Sequence, residues 1–311
     1  MKKHLCLLFA CTLAAYAVFS QTVAEYLDRG EQYVIEGRFL EARSAVEQAI
    51  RLDPDNALAH LYLGVIYRRL SEYHLALESF SRTIELDNTF AEAYFWRALI
   101  YDEILNDPAN ARSNYDMAVY LEPENARYRR DRGIFLSEVV GDFISARVDF
   151  DRAVEIDPLN FRNFQQRGVS LGKYGFYELA LDDFNAAIRL NNENTANFFG
   201  KGVMLYYLER YEEALENLNI ALRLDNNNYR AHSRRGHAHF RLRMYHEAVQ
   251  DFSEVIRLKP NLGEYRLAYS NRAFLFRLLA EQTDNPAQAA YYHDRAHMDA
   301  QVVARLDEQG E

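Results

Sequence analysis

The stretch VAEYLDRGEQYVIEGRFLEARSAVEQAIRLDPDN, residues 23–56, decides how the rest of the chain is read. Tyr26, Gly30 and Tyr33 are spaced by four and three residues, as are Ala42, Val46 and Ala49 beyond the break at Gly37. Such spacings put each trio on one face of a helix. Two short amphipathic helices, parted by a glycine and ended by Pro54, make a helical hairpin that cannot bury its apolar face alone. The hairpin recurs. Counterparts of Gly30 stand at Gly64, Ala98, Gly133, Gly168, Gly202, Gly236 and Ala273, in steps of 34 or 35 residues until a last step of 37. An alanine follows each, at Ala42, Ala76, Ala111, Ala146, Ala180, Ala214, Ala248 and Ala289. A fixed period of this length implies an all-α solenoid of stacked units, not an enzyme domain built around one core.

Each position has a physical task. The small residue on the first helix and the alanine on the second let the two helices approach closely. A large side chain four residues after the alanine fills what remains: Val46, Phe80, Tyr115, Phe150, Phe184, Leu218 and Phe252. Gly37, Gly141 and Gly175 fall in the turns, where a positive φ is useful. Each unit ends in a helix-stopping group: Asp53-Pro54, Asp87-Asn88, Glu122-Pro123, Asp157-Pro158, Asn191-Asn192, Asp225-Asn226 and Lys259-Pro260.

On these residues the chain resembles the tetratricopeptide repeat (TPR) family. The resemblance spans residues 23 to about 300, with seven copies at 23–56, 57–90, 91–125, 126–160, 161–194, 195–228 and 229–262. It implies antiparallel helix pairs wound into a right-handed superhelix with a concave groove. Residues 261–311 depart from the pattern and are expected to form a degenerate eighth repeat with a capping helix, from Leu262 to Ala280 and from Ala287 to Leu306. Repeat arrays need such caps to cover an open apolar end.

The first 20 residues read as a signal peptide. Lys2 and Lys3 precede an uncharged apolar run from Leu5 to Phe19, and Val18 and Ser20 sit three and one before Gln21. A rival reading places a lipid anchor on Cys11, within Leu8-Phe9-Ala10-Cys11. Both cysteines, Cys6 and Cys11, lie in this segment, so the expected mature chain has no disulfide, thiolate metal site or cysteine nucleophile. Losing Lys2 and Lys3 takes 36 basic residues to 34 against 46 acidic ones, a net charge of −12. That charge disfavours nucleic-acid binding. No later segment has membrane-spanning length. An exported protein of the periplasm or envelope is expected.

Cations recur one residue before the small position: Arg29, Arg97, Arg132, Arg167, Lys201, Arg235 and Arg272. Asp149, Asp183 and Asp251 follow three of them by 16 or 17 residues, and Asn114 and Asn217 follow Arg97 and Lys201. Structural pairs Arg132–Asp149, Arg167–Asp183 and Arg235–Asp251 are therefore expected to tie helices together. Arg29, facing Ala45, has no such partner.

The family's groove positions give a candidate binding surface. Tyr94 is assigned to the core. Trp96, about 200° further around the helix, is then expected to face the groove. Tyr62, Phe95, Trp96, Phe199, Tyr206, Tyr207 and Phe240 form the aromatic strip, with His237 beside it. Arg127, Arg130, Arg162, Lys173, Arg230, Arg234 and Arg241 supply positive charge, whereas Glu31, Glu92, Asp102 and Glu103 hold the early positions. Aromatic anchors with a polar rim suit a protein or peptide partner. The lysine-and-asparagine clamp that chaperone-binding relatives use is missing.

No cofactor motif stands out. Gly168 to Lys173 resembles a fragment of a phosphate loop but is one residue short and lies inside a repeat helix. His293 and His297 are one turn apart, as in zinc proteases, with aspartate where that motif needs glutamate and Asp299 as a nearby third ligand. His232, His237, His239 and His246 are a second histidine group. The expected function is a non-enzymatic interaction scaffold, with no cofactor, binding a peptide segment or an envelope-complex subunit. The alternatives are a TPR protein that binds a small molecule or partners a solute-handling system, and a metal-dependent hydrolase.

Overall fold

Asparagines at the unit junctions do more than stop helices. Asn56, Asn125, Asn160, Asn194 and Asn228 each accept a hydrogen bond from a backbone N–H of the helix that follows. One residue thus satisfies an orphan donor and sets where the next unit begins. The computed structural model describes residues 22–258 and 262–308, and among these residues all regular structure is helical. The export signal, Cys6, Cys11 and the Lys259-Pro260 stop lie outside the described residues.

The chain divides after Ile156 into two units. The first holds four helix pairs: α1 (22–35) with α2 (Phe39–Leu52), α3 (Ala57–Arg69) with α4 (Tyr73–Leu86), α5 (Ala91–Glu103) with α6 (Pro108–Leu121), and α7 (Ala126–Phe135) with α8 (Phe143–Ile156). The second holds α9 (Phe161–Lys173) with α10 (Tyr177–Leu190), α11 (Thr195–Tyr207) with α12 (Tyr211–Leu224), α13 (Tyr229–Arg241) with α14 (Tyr245–Leu258), and the longer pair α15 (Leu262–Gln282) and α16 (Pro286–Glu308).

Close approach within a pair depends on the missing side chain at the small position. A Cβ built on Gly64 would lie 2.5 Å from Phe80 Cε1, and one on Gly202 would lie 2.8 Å from Leu218 Cγ. Phe80 and Leu218 are fully buried in those spaces. The turns between paired helices need a left-handed residue. Gly37, Gly141 and Gly175 supply it at φ 74°, 77° and 84°, and Ser71, Asn106, Glu209 and Arg243 take it in other pairs. Two pairs must place one extra residue before the second helix. The α5–α6 pair places it in a longer turn around Asn106, and α7 widens into a π-helical turn at Leu136–Val140.

The arginine row forms a brace. Arg132 donates to Asp149 through Nε (2.6 Å) and Nη2 (2.7 Å), and Arg167 does the same to Asp183 at 2.9 and 2.7 Å. Arg235 meets Asp251 at 2.6 Å through Nη2. Two further positions join them: Arg97 donates to Asn114 at 2.8 Å, and Arg272 reaches Asp299 on α16 with two bonds of 2.8 Å. The remaining guanidinium nitrogen turns backwards. Nη1 of Arg97, Arg132, Arg235 and Arg272 donates to Ser81, Asp116, Asn219 and Ser253, on the second helix of the preceding pair. Each of these four arginines therefore holds three helices in register, which the sequence spacing alone did not indicate.

Candidate functional site

The site is built from the first helices of the pairs. In the first unit α1, α3 and α5 share a face, because all three line one cavity of about 170 Å³. Its walls are Val34, Leu61, Val65 and Ile66, with Tyr62, Glu31 and Glu92 completing the lining. Burial pushes the Tyr62 phenol up, and the carboxylates of Glu31, Glu92 and Asp28 push it the same way. Glu92 also accepts a 2.9 Å hydrogen bond from Trp96 Nε1.

Trp96 corrects the expected geometry. Tyr94 is only half-buried, whereas Phe95 is fully buried and Trp96 keeps 8% exposure. Phe95 stacks on Tyr128 at 4.6 Å and meets Tyr115 edge-on at 6.2 Å, so it belongs to the core and not to the aromatic strip. A helix inside a stack has neighbours on both flanks as well as its pair partner. Residues 200° apart on it can therefore both be buried. Trp96 is covered by guanidinium groups, Arg68 at 4.8 Å and Arg127 at 4.9 Å from the ring centre, and Arg127 also lies 4.6 Å from the Phe95 centroid. Such contacts are cation–π attractions, about 0.5–1 kcal/mol each where exposed.

Arg130 is corrected too. It pairs with Asp131 at 2.9 Å and is largely buried, so its charge is already used. Asp131 itself is pushed up by burial, which outweighs the arginines beside it. Asp102 is another internal group, accepting from Tyr115 Oη at 3.3 Å.

In the second unit Tyr206 and Tyr207 meet edge-on at 5.8 Å, and Tyr177 stacks on Tyr207 at 4.9 Å. Arg234 lies 5.4 Å from the centres of both Tyr206 and Tyr207, and among the described residues it makes no ion pair. Tyr207 is 44% exposed. Arg241 covers Tyr211 at 4.6 Å and approaches Glu209 at 3.5 Å. Arg162 and Arg230 stay exposed, each over its neighbouring ring, Phe161 and Tyr229. Lys173 is exposed at the end of α9. Phe198 and Phe199, expected to diverge, both pack beside Leu218, Leu222 and Ala231. Phe240 packs edge-on against Phe274 at 5.8 Å.

The histidines resolve into separate roles. His237 leaves the groove strip and sits edge-on to Phe252 at 5.1 Å; burial, with Arg234 adding to it, brings its pKa down to about 4. His232 and His239 turn their Nδ1 atoms to Asp251 at 3.3 and 2.8 Å, joining Arg235 there. Burial works against the Asp251 charge, but these three donors outweigh it and hold the carboxyl at about 2. On α16, His293 and His297 are exposed, and Asp299 is buried against Arg272 on the other side of the helix, so it is no third ligand for them. Among the described residues no group of three or more histidine, cysteine, aspartate or glutamate side chains is placed to hold a metal ion.

These features define a class: stacked helical hairpins whose first helices present aromatic rings and cations. Tetratricopeptide repeat descriptions match residues 27–89, 91–125 and 229–262, and a TPR repeat description matches 202–242. The chain belongs to the tetratricopeptide repeat family. A curated relative, tetratricopeptide repeat protein 37 of Xenopus laevis, is 26% identical over 117 residues. That match covers 32% of this chain and only 8% of the relative's length. Among solved structures, YrrB, a TPR protein with an unusual peptide-binding site, aligns at 24% identity with a TM-score of 0.52, over 60% of this chain and 95% of YrrB. A tetratricopeptide repeat protein from Parabacteroides merdae aligns at 18% identity and TM-score 0.61, over 81% of this chain and 99% of that one. PilW, a type IV pilus biogenesis factor, aligns at 17% and 0.62, over 68% and 97%. At these identities the likeness is one of fold. Among the described residues no helix is long and apolar enough to cross a membrane.

Proposed function

We propose that this protein is an exported, non-catalytic scaffold that binds a peptide segment or an envelope-complex subunit on its first-helix face. One observation carries the reading: guanidinium groups lie over aromatic rings on that face in each unit, Arg127 on Trp96 and Arg234 on Tyr206 and Tyr207. An aromatic plane capped by a cation offers a partner both apolar area and a charge-assisted donor. The helices that carry these groups are fixed by the arginine braces, so the partner alone loses conformational freedom on binding. The peptide-binding site of YrrB is in keeping with this reading.

Affinity capture from the native envelope tests it. A specific protein partner should be retained by the parent chain and lost with Arg127→Glu or Arg234→Glu, both folding normally by circular dichroism. A captured complex indifferent to both changes would place the binding face elsewhere. Export rests on Lys2, Lys3 and the apolar run to Phe19. N-terminal sequencing of the envelope-fraction protein should begin at Gln21, and an intact Met1 would overturn it. A small-molecule ligand is the second reading, favoured only by the walled cavity beside Tyr62.

A further inference from the structure

We propose that the cavity between α1, α3 and α5 receives a lysine side chain of the bound partner segment. The inference rests on the groove reading above and adds the chemistry of one subsite within it. The walls are aliphatic, from Val34, Leu61, Val65 and Ile66, and about 170 Å³ is room for a single long side chain. A purely apolar occupant would leave the polar part of the lining unused. Glu31 and Glu92 belong to that lining, Tyr62 lies with them, and the Asp28 carboxylate is close enough to act on the same phenol. Glu31 makes no ion pair among the described residues, and Glu92 is bonded only to the uncharged indole N–H of Trp96. Arg68, on the same helix as Tyr62, is turned to the Trp96 ring and to Glu103 at 3.5 Å, so it does not neutralise Glu31 or Glu92.

A lysine matches both parts. Its methylene stem lies along apolar surface while the ammonium reaches carboxylates at the polar end. An acidic or amidated side chain in the same space would meet repulsion or leave the carboxylates without a cation.

The structure supplies its own reporter. Trp96 is the sole tryptophan, and its indole N–H is bonded to Glu92 at 2.9 Å. An ammonium arriving at Glu92 competes for that carboxylate and alters the Trp96 emission. The test uses the full chain and three pools of tryptophan-free nonapeptides, acetylated and amidated at their ends. The central residue is lysine, Nε-acetyl-lysine or glutamate, and the flanking positions are mixed. Affinity is read by calorimetry and Trp96 emission is followed in the same titrations.

The lysine pool should bind at least about tenfold tighter than the acetyl-lysine pool, the scale of one charge-assisted hydrogen bond, and should shift the emission. In Glu31→Gln/Glu92→Gln the preference should fall to parity. Leu61 and Val65 are untouched by that change, so residual binding of all three pools shows an intact face. Equal affinity for lysine and acetyl-lysine, or a preference that survives the double substitution, would overturn the proposal and leave the groove reading standing. Absence of binding by the lysine pool would overturn it as well, while the groove reading keeps its separate test in the envelope capture.

Discussion

Asp183 is 4% exposed, and a carboxylate that deep is tolerable only because Arg167 meets it with two donors. Removing one partner strands the other charge. Arg167→Ala should cost about 3 kcal/mol, and Arg167→Met with Asp183→Leu should regain most of it, as read from urea unfolding midpoints. Titration gives a second prediction. His237 is held neutral in the folded chain, at about 4 against its ordinary 6.5. As pH falls below 6.5 the unfolded chain takes up a proton that the folded chain refuses, so stability declines until pH reaches about 4. The loss is at most about 3 kcal/mol, and His237→Leu should flatten this part of the stability–pH curve. Asp251 acts lower: its contribution is full above pH 4 and disappears as pH drops through about 2. The pairing of Arg132, Arg167 and Arg235 with aspartates was legible in the sequence because partner types change together along the chain. The inward turn of Trp96 was not, because a single helix wheel carries no information about how many neighbours flank that helix.

At the scale of the helix pair, the small residue sets the separation. Gly64→Ala improves helix propensity by about 1 kcal/mol, yet its Cβ must displace Phe80, which is fully buried. Net destabilisation of about 1–3 kcal/mol is expected, and Phe80→Leu in the same chain should recover part of it, measured by thermal unfolding. The pair pattern, the large residue after the alanine and the turn glycines all express short-range geometry and are therefore visible in sequence. The backward bonds from Arg97, Arg132, Arg235 and Arg272 link successive pairs and have no short-range signature. The π-helical turn at Leu136–Val140 is similar: the extra residue is countable, but whether a turn or a helix absorbs it depends on packing.

At the scale of the molecule, each pair is stabilised by its immediate neighbours, so damage should remain local. Phe80→Ala should lower amide-exchange protection across α3 to α5 while leaving α11 to α14 near parent levels. Uniform loss across both units would indicate a single cooperative block. The acidic balance of the whole chain was readable from composition, but it conceals a local division. Glu31 and Glu92 meet at one cavity of the first unit, whereas Arg234 lies on paired tyrosines in the second.

The arginine braces bear on how such a chain can grow. Each guanidinium fastens only to its own hairpin and to the one before it, so a duplicated hairpin would arrive with its own fastener. Copies could then be gained or lost in whole modules without redrawing the joints that remain, and the length of the surface offered to a partner could change faster than its construction.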